Sequence, residues 1–162
     1  MGLQTTFTTD PAAAIAGMLA DVSYTVDVIS RALETVAGVD SGFAVRDGAT
    51  IGNGGTCKVL SATGDTAVFL GITVLDLYRE PKSPRFAQFD AVPILRKGRI
   101  WVTSVDDTRT IVGSNVYLYY TGGNVGLFGG NPNASANLIT NASWVMGANT
   151  GLLALLEINF PQ

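Results

Sequence analysis

The sequence predicts a mainly β chain: a compact antiparallel β-barrel or sandwich over residues 23–162, preceded by an extended N-terminal arm over residues 1–22, with little helix. Three observations carry this reading. Short apolar runs rich in β-branched and aromatic residues recur along the chain, as at residues 68–74 and 116–120. Glycine-rich steps separate them: Asp47-Gly48, Gly52-Asn53-Gly54-Gly55, Thr63-Gly64-Asp65, Lys97-Gly98, Gly122-Gly123 and Gly129-Gly130. No strand–helix–strand alternation occurs, which excludes a doubly wound parallel sheet.

Taken in order, the arm comes first. Gln4 to Pro11 is polar and Thr-rich, with β-branched residues that favour extended backbone, and Pro11 stops it from continuing as a central strand. Residues 12–20 are small and apolar. They suit one or two helical turns capped at Asp10, with Pro11 in the first helical position, or equally an extended segment lying in a groove. Either form needs a surface to cover, on its own domain or on another subunit. Tyr24, Val26 and Val28 then alternate with polar residues, the period-2 signature of a half-buried strand. Residues 31–37 are compatible with a short helical turn ending before Gly38. Further strands are expected at 43–45, 57–60, 68–74, 91–95, 100–105, 116–120, 144–146 and 152–158. Leu152 to Leu156 is apolar on both faces, so the last strand should be central or covered. Residues 77–88, with Arg79, Glu80, Lys82 and Arg85, read as a long exposed loop. Residues 129–137 carry turn chemistry throughout.

A chain of 162 residues fits one domain, or a domain with an arm, and buries roughly 70% of its unfolded surface. Apolar residues make up 47% and charged residues 14%, well below the usual ~25% for the latter. So sparse a charge suits a protein largely covered by neighbours. Ten basic residues spread thinly, with a net charge of −3, argue against nucleic-acid binding. The densest basic group, Arg96, Lys97 and Arg99 around Gly98, reads as a solvated hairpin end. No basic segment followed by an apolar run opens the chain, and no apolar stretch reaches ~18 residues, so assembly in the cytoplasm is expected.

The sequence offers no catalytic apparatus. It has no histidine, which removes Ser-His-Asp and Cys-His chemistry and leaves metals to carboxylates alone. Asp106-Asp107 is the only adjacent acid pair; neighbouring strand residues face opposite ways, so the pair is read as opening a turn. Cys57, the single cysteine, is read as a small buried thiol in a strand. Gly52 to Gly55 lacks the spacing of a dinucleotide loop and is read as a flexible hairpin tip. The match of Met1-Gly2 with Thr6 to an acylation pattern, and the sequons at Asn133 and Asn141, are read as chance. No catalytic residue, metal or cofactor is expected.

Several runs, in order, resemble the structural cement, or head decoration, proteins of tailed bacteriophages. They are Ala16 to Asp21, Gly42 to Val45, Phe69 to Val74, Val92 to Val102, Gly113 to Leu118, Gly126 to Phe128, Ala142 to Trp144 and Gly151 to Phe160. The resemblance implies a non-enzymatic virion protein that binds the outside of the phage major capsid lattice as a homo-oligomer and stabilises the mature head against internal DNA pressure. A homotrimer is favoured and a dimer remains open, with no nucleic acid or membrane partner. Under this reading Thr5, Phe7, Thr8, Pro11, Ile15, Met18 and Leu19 form the capsid-contact arm. Arg79, Arg85, Phe86, Arg99 and Trp101 are candidate oligomer or capsid contacts. Ile100 and Val102 alternate with Trp101, which must bury against another sheet, a covering arm or a neighbour. Two other readings share the composition. One is a tail-tube or head–tail β protein. The other is a carbohydrate-binding module stacking sugars on Trp101, Trp144, Tyr117, Tyr119 or Tyr120.

Overall fold

The structure, a computed structural model, describes residues 14–20, 26–48, 55–62, 65, 68–78, 85–106, 113 and 115–160. The expectations placed on residues 1–13, Tyr24, the 52–54 tip, Arg79 and Asp107 lie outside these. Ten strands are described: β1 (Asp27–Leu33), β2 (Ala44–Asp47), β3 (Thr56–Val59), β4 (Phe69–Thr73), β5 (Ala91–Thr103), β6 (Val116–Tyr119), β7 (Phe128–Gly129), β8 (Ala136–Ile139), β9 (Ala142–Met146) and β10 (Leu153–Asn159). The mainly β expectation holds, and helical structure among the described residues is limited to 3₁₀ turns, at Gly122–Asn124 and at Asp65 and Val68.

The main sheet runs β1-β3-β2-β4-β5-β10-β9, and β1 also pairs with β5, so its first five strands close into a barrel. Every pairing is antiparallel except β1 with β3, where Ala32 faces Thr56 and Leu33 faces Cys57 in parallel. That one parallel seam completes the closure. The remaining strands extend away from the barrel, and β7-β6-β8 form a separate small sheet. As the apolar run predicts, β10 is central, held between β5 and β9.

Burial follows this division. One core holds Leu33, Val39, Val45, Cys57, Leu70, Phe86, Val92 and Ile94. The other collects Ala44, Ile72, Leu95, Ile100, Val102, Leu118, Phe128, Trp144, Leu156 and Ile158 from both sheets. Ala44 and Val45, adjacent on β2, each enter a different core, so this strand separates the two. Asp106 fastens the small sheet: its carboxylate accepts the N–H groups of Gly130 at 2.7 Å and Asn131 at 3.2 Å.

Two local expectations are corrected. Residues 31–33 are strand, not a helical turn. Ala32 N–H donates to the Gly55 carbonyl at 2.9 Å and Leu33 N–H to the Asp90 carbonyl at 3.0 Å. With β3 on one edge and β5 on the other, ladder bonds override weak local preference. Only Val36 and Ala37 turn, before Gly38.

The Arg96-Lys97-Gly98-Arg99 group is not a hairpin end. It lies within β5, the longest strand at 13 residues. Lys97 pairs with Asp27 of β1 and also with Asn159 of β10, so the strand changes partner here. The register against β1 shifts at the same place. Leu95 and Ile100 differ in parity yet enter the same core, which a bulge between them reconciles. Gly98, at φ 133°, takes backbone that side-chain-bearing residues rarely adopt. The glycine read as punctuation is a bend within one strand.

Candidate functional site

The described part of the arm, residues 14–20, docks onto its own domain. Gly17 N–H donates to the Trp101 carbonyl at 2.7 Å, Trp101 N–H to the Met18 carbonyl at 2.9 Å, and Ala20 N–H to the Arg99 carbonyl at 3.0 Å. Leu19 bridges Ile100 in antiparallel sense. Main-chain groups of successive strand residues point to opposite edges, so the arm lies on the edge of β5 that β10 leaves free.

Leu75 N–H donates to the Gly17 carbonyl at 2.8 Å, while adjacent Val74 N–H reaches the Pro93 carbonyl at 2.8 Å. The bent β5 therefore brackets the end of β4, and the arm fills the notch between them. Ser41 Oγ closes the other side, donating to the Ala16 carbonyl at 2.8 Å. Gly17 is required there, because a Cβ would stand 2.5 Å from the Ser41 Cβ and 2.8 Å from the Gly42 nitrogen. The described arm is neither a helix nor a full strand: Met18 N–H donates to the Ile15 carbonyl at 3.0 Å across a turn at Ala16–Gly17, and a single antiparallel bridge at Leu19 follows on the edge of β5.

The arm divides its side chains. Leu19 packs against the core shared by the two sheets. Ile15 and Met18 remain exposed, at 55% and 43%. A shallow apolar cleft of about 230 Å³ opens beside them, lined by Met18, Leu19, Val74, Leu75 and Leu77. Leu77 and Tyr78, at the start of the long loop, are both strongly exposed.

Arg99 and Trp101 lie directly under the arm. The Arg99 Nε donates to Glu157 Oε2 at 2.7 Å across to β10, in a partly exposed ion pair. Trp101 is half-buried while Ile100 and Val102 are enclosed, as the alternation predicts. Arg85 ties the loop down: its N–H donates to Asp40 Oδ1 at 2.8 Å and its Nη1 to the Asp76 carbonyl at 3.0 Å. Phe86 is fully buried in the first core, and it exchanges main-chain bonds of 2.9 Å with Val39 in both directions. Its ring anchors the loop from within, and any outward contact at this loop falls to its neighbours. The structure thus gathers Met18, Leu19, Arg99 and Trp101 in one place, and sets Arg85 and Phe86 apart as the loop's fastening.

Of the aromatic residues offered as sugar-stacking platforms, Trp144, Tyr119 and Tyr120 are buried. The Tyr120 hydroxyl donates to the Ala134 carbonyl at 2.8 Å. Burial of the Tyr119 phenol and the nearby Asp106 carboxylate raise its pKa. These are core tyrosines with satisfied tips rather than an exposed stacking row.

The family model described as "Structural cement protein (E217 gp24/Pam3 gp6)" matches residues 3–159 of the chain. The chain belongs to this family. It is therefore a structural cement protein of bacteriophages, a member of a family of structural components and not of enzymes. Among solved structures, a chain of "The capsid of Myoviridae Phage XM1" has the same fold, with a TM-score of 0.73 at 15% identity over 98% of each chain. No curated protein matches significantly.

Within this cement protein the residue-level reading overlooked four exposed apolar side chains, Leu77, Tyr78, Val36 and Phe89. The available signal was a large apolar residue isolated in a turn segment, where no strand face could bury it.

Proposed function

We propose that this cement protein binds the outer surface of the phage major capsid lattice as a homo-oligomer, with a homotrimer favoured, and so stabilises the mature head. Assembly takes place in the host bacterial cytoplasm, without nucleic acid or membrane. The observation that carries the reading is membership of the cement family across residues 3–159. The contact face is the arm and its surroundings: Ile15 and Met18, the cleft beside them, and Leu77 and Tyr78. Residues 1–13, with Thr5, Phe7, Thr8 and Pro11, extend the same contact. Arg99 and Trp101 lie beneath it, and Arg79 and Arg85 are assigned to the contact as further candidates. A standard interface buries about 1,600 Å² in total. One such face supplies part of that, and several faces acting together raise the occupancy.

Co-sedimentation of the purified protein with undecorated mature heads, with unexpanded proheads as control, tests this reading. Saturable binding to mature heads alone is expected. Absence of binding to either particle would overturn it and turn attention to tail assembly.

A further inference from the structure

The turn after β1 and the turn before β5 lie side by side at one end of the barrel. Gln88 Nε2 donates to the Glu34 carbonyl at 3.1 Å, and Phe89 N–H to the Leu33 carbonyl at 2.7 Å. The side chains exposed there are apolar: Val36, Ala37, Ala87, Phe89 and Ala91. Phe89 is 75% exposed and Val36 81%.

Phe89 is also the one described non-glycine residue with positive φ, at 69°. That conformation is uncommon for a bulky residue and is tolerated only where its surroundings impose it. They do so here. Besides the bond from Phe89 N–H, the Asp90 carboxylate accepts Ala87 N–H at 2.8 Å, and Asp90 N–H donates to the Ala87 carbonyl at 3.1 Å. The turn therefore fixes the Phe89 backbone, and the ring stands outward from it, exposed to solvent.

The other flank of the 34–39 turn carries a shallow cleft. The cleft, of about 250 Å³, is lined by Ala37, Gly38, Val39, Asp40, Phe43, Val59 and Val125. The lining is apolar apart from Asp40, whose carboxylate is engaged by the Arg85 N–H. None of residues 85–90 lines it, so the Phe89 ring and the cleft are separate surfaces of one chain.

We propose that Phe89 of one copy inserts into this cleft of the next, and that this contact builds the homo-oligomer. The inference rests on the cement reading only for its expectation of self-association. A side chain and a cleft on different flanks make a head-to-tail contact, which generates a ring when the rotation closes. An aromatic anchor entering an apolar pocket is the usual form of an interface hot spot. The arm face around Met18 and Tyr78 is left free for the capsid.

The test uses the full chain and two exposed-site variants, Phe89→Asp and Ala37→Arg, measured by sedimentation velocity and by binding to mature heads. The wild-type protein is expected to sediment as a closed trimer and each variant as a monomer with unchanged circular dichroism. An equimolar mixture of the two should form an open pair, because the Ala37→Arg copy keeps Phe89 and the Phe89→Asp copy keeps its cleft. A monomeric wild-type protein that still binds heads would overturn this inference while leaving the capsid reading in place. Variants that stay oligomeric but lose head binding would overturn it too, and assign Phe89 to the capsid.

Discussion

Cys57 illustrates how much one position in the barrel decides. The thiol is fully enclosed, and burial, with Glu34 nearby, pushes its pKa from 9.0 up to about 12. The thiolate is the nucleophile, so a thiol-specific reagent at pH 8 should leave Cys57 unmodified until denaturant is added. A folded pKa above the unfolded value means that the stability contribution is complete below about pH 9 and is lost as pH rises towards 12. Urea titrations across that window should show a falling stability that Cys57→Ala flattens. Asp65 works in the opposite direction. Burial alone would raise its pKa, but the Ser61 N–H and hydroxyl, the Ala62 N–H and the Arg46 guanidinium at 3.0 Å outweigh it and hold the carboxyl below 3.8. Its contribution is present above the unfolded value and is lost as pH falls through the folded one. Asp65→Asn should cost about 1–3 kcal/mol at neutral pH and shrink the acid-side loss of stability measured by chemical denaturation. The buried thiol was legible from its strand-like neighbours. The role of Asp65 was not, because Thr63-Gly64-Asp65 reads as turn chemistry whichever group the carboxylate meets.

At the scale of elements, β5 carries the most consequence. The run Leu95 to Ile100 was broken in the sequence reading because a glycine among three cations looks like a loop end. What the residues could not reveal was that β1 and β10 would each claim half of one strand, so that the glycine serves a change of partner. Val26 packs against the Gly98 position, with its Cγ2 3.5 Å from where a Cβ would stand. A substitution there would strain the backbone and crowd the approach to β1. Gly98→Val should destabilise the fold by about 1–3 kcal/mol, read by urea denaturation. The arm has its own test. Gly17→Ala forces a Cβ into Ser41 and the Gly42 backbone, so limited proteolysis should remove the N-terminal segment faster than in the wild-type protein, with the barrel left intact. The sequence marks residues 12–20 as needing a surface, and residues 14–20 find one on their own domain. The sequence leaves that surface open, since small apolar residues fit any groove, and the notch exists only once β5 has bent.

For the whole molecule, fold class followed from periodicity and glycine spacing, whereas closure depended on the β1–β3 parallel seam, which no local pattern encodes. Phe86 was taken for a loop contact for a similar reason. Its charged neighbours advertise solvent, while the ring is captured by a core assembled from four distant segments. The docked arm also separates two truncations. Removing residues 1–13 leaves the bonds of residues 17–20 to β5 in place and should reduce head binding. Removing residues 1–20 strips main-chain partners from Arg99, Trp101 and Leu75 and uncovers Leu19's place in the core, so the melting temperature should fall by several degrees. Differential scanning calorimetry of both forms distinguishes them. The antiparallel arm has a further, mechanical consequence. A tug on Ala14 reaches the turn at Ala16–Gly17 before it reaches the bonds that Met18 and Ala20 make with β5. There the Gly17 N–H, bonded to Trp101, and the Gly17 carbonyl, bonded to Leu75, take the load on two segments at once. A pull on the arm is then passed into β5 and into the segment that follows β4, so the barrel resists it and not the arm alone.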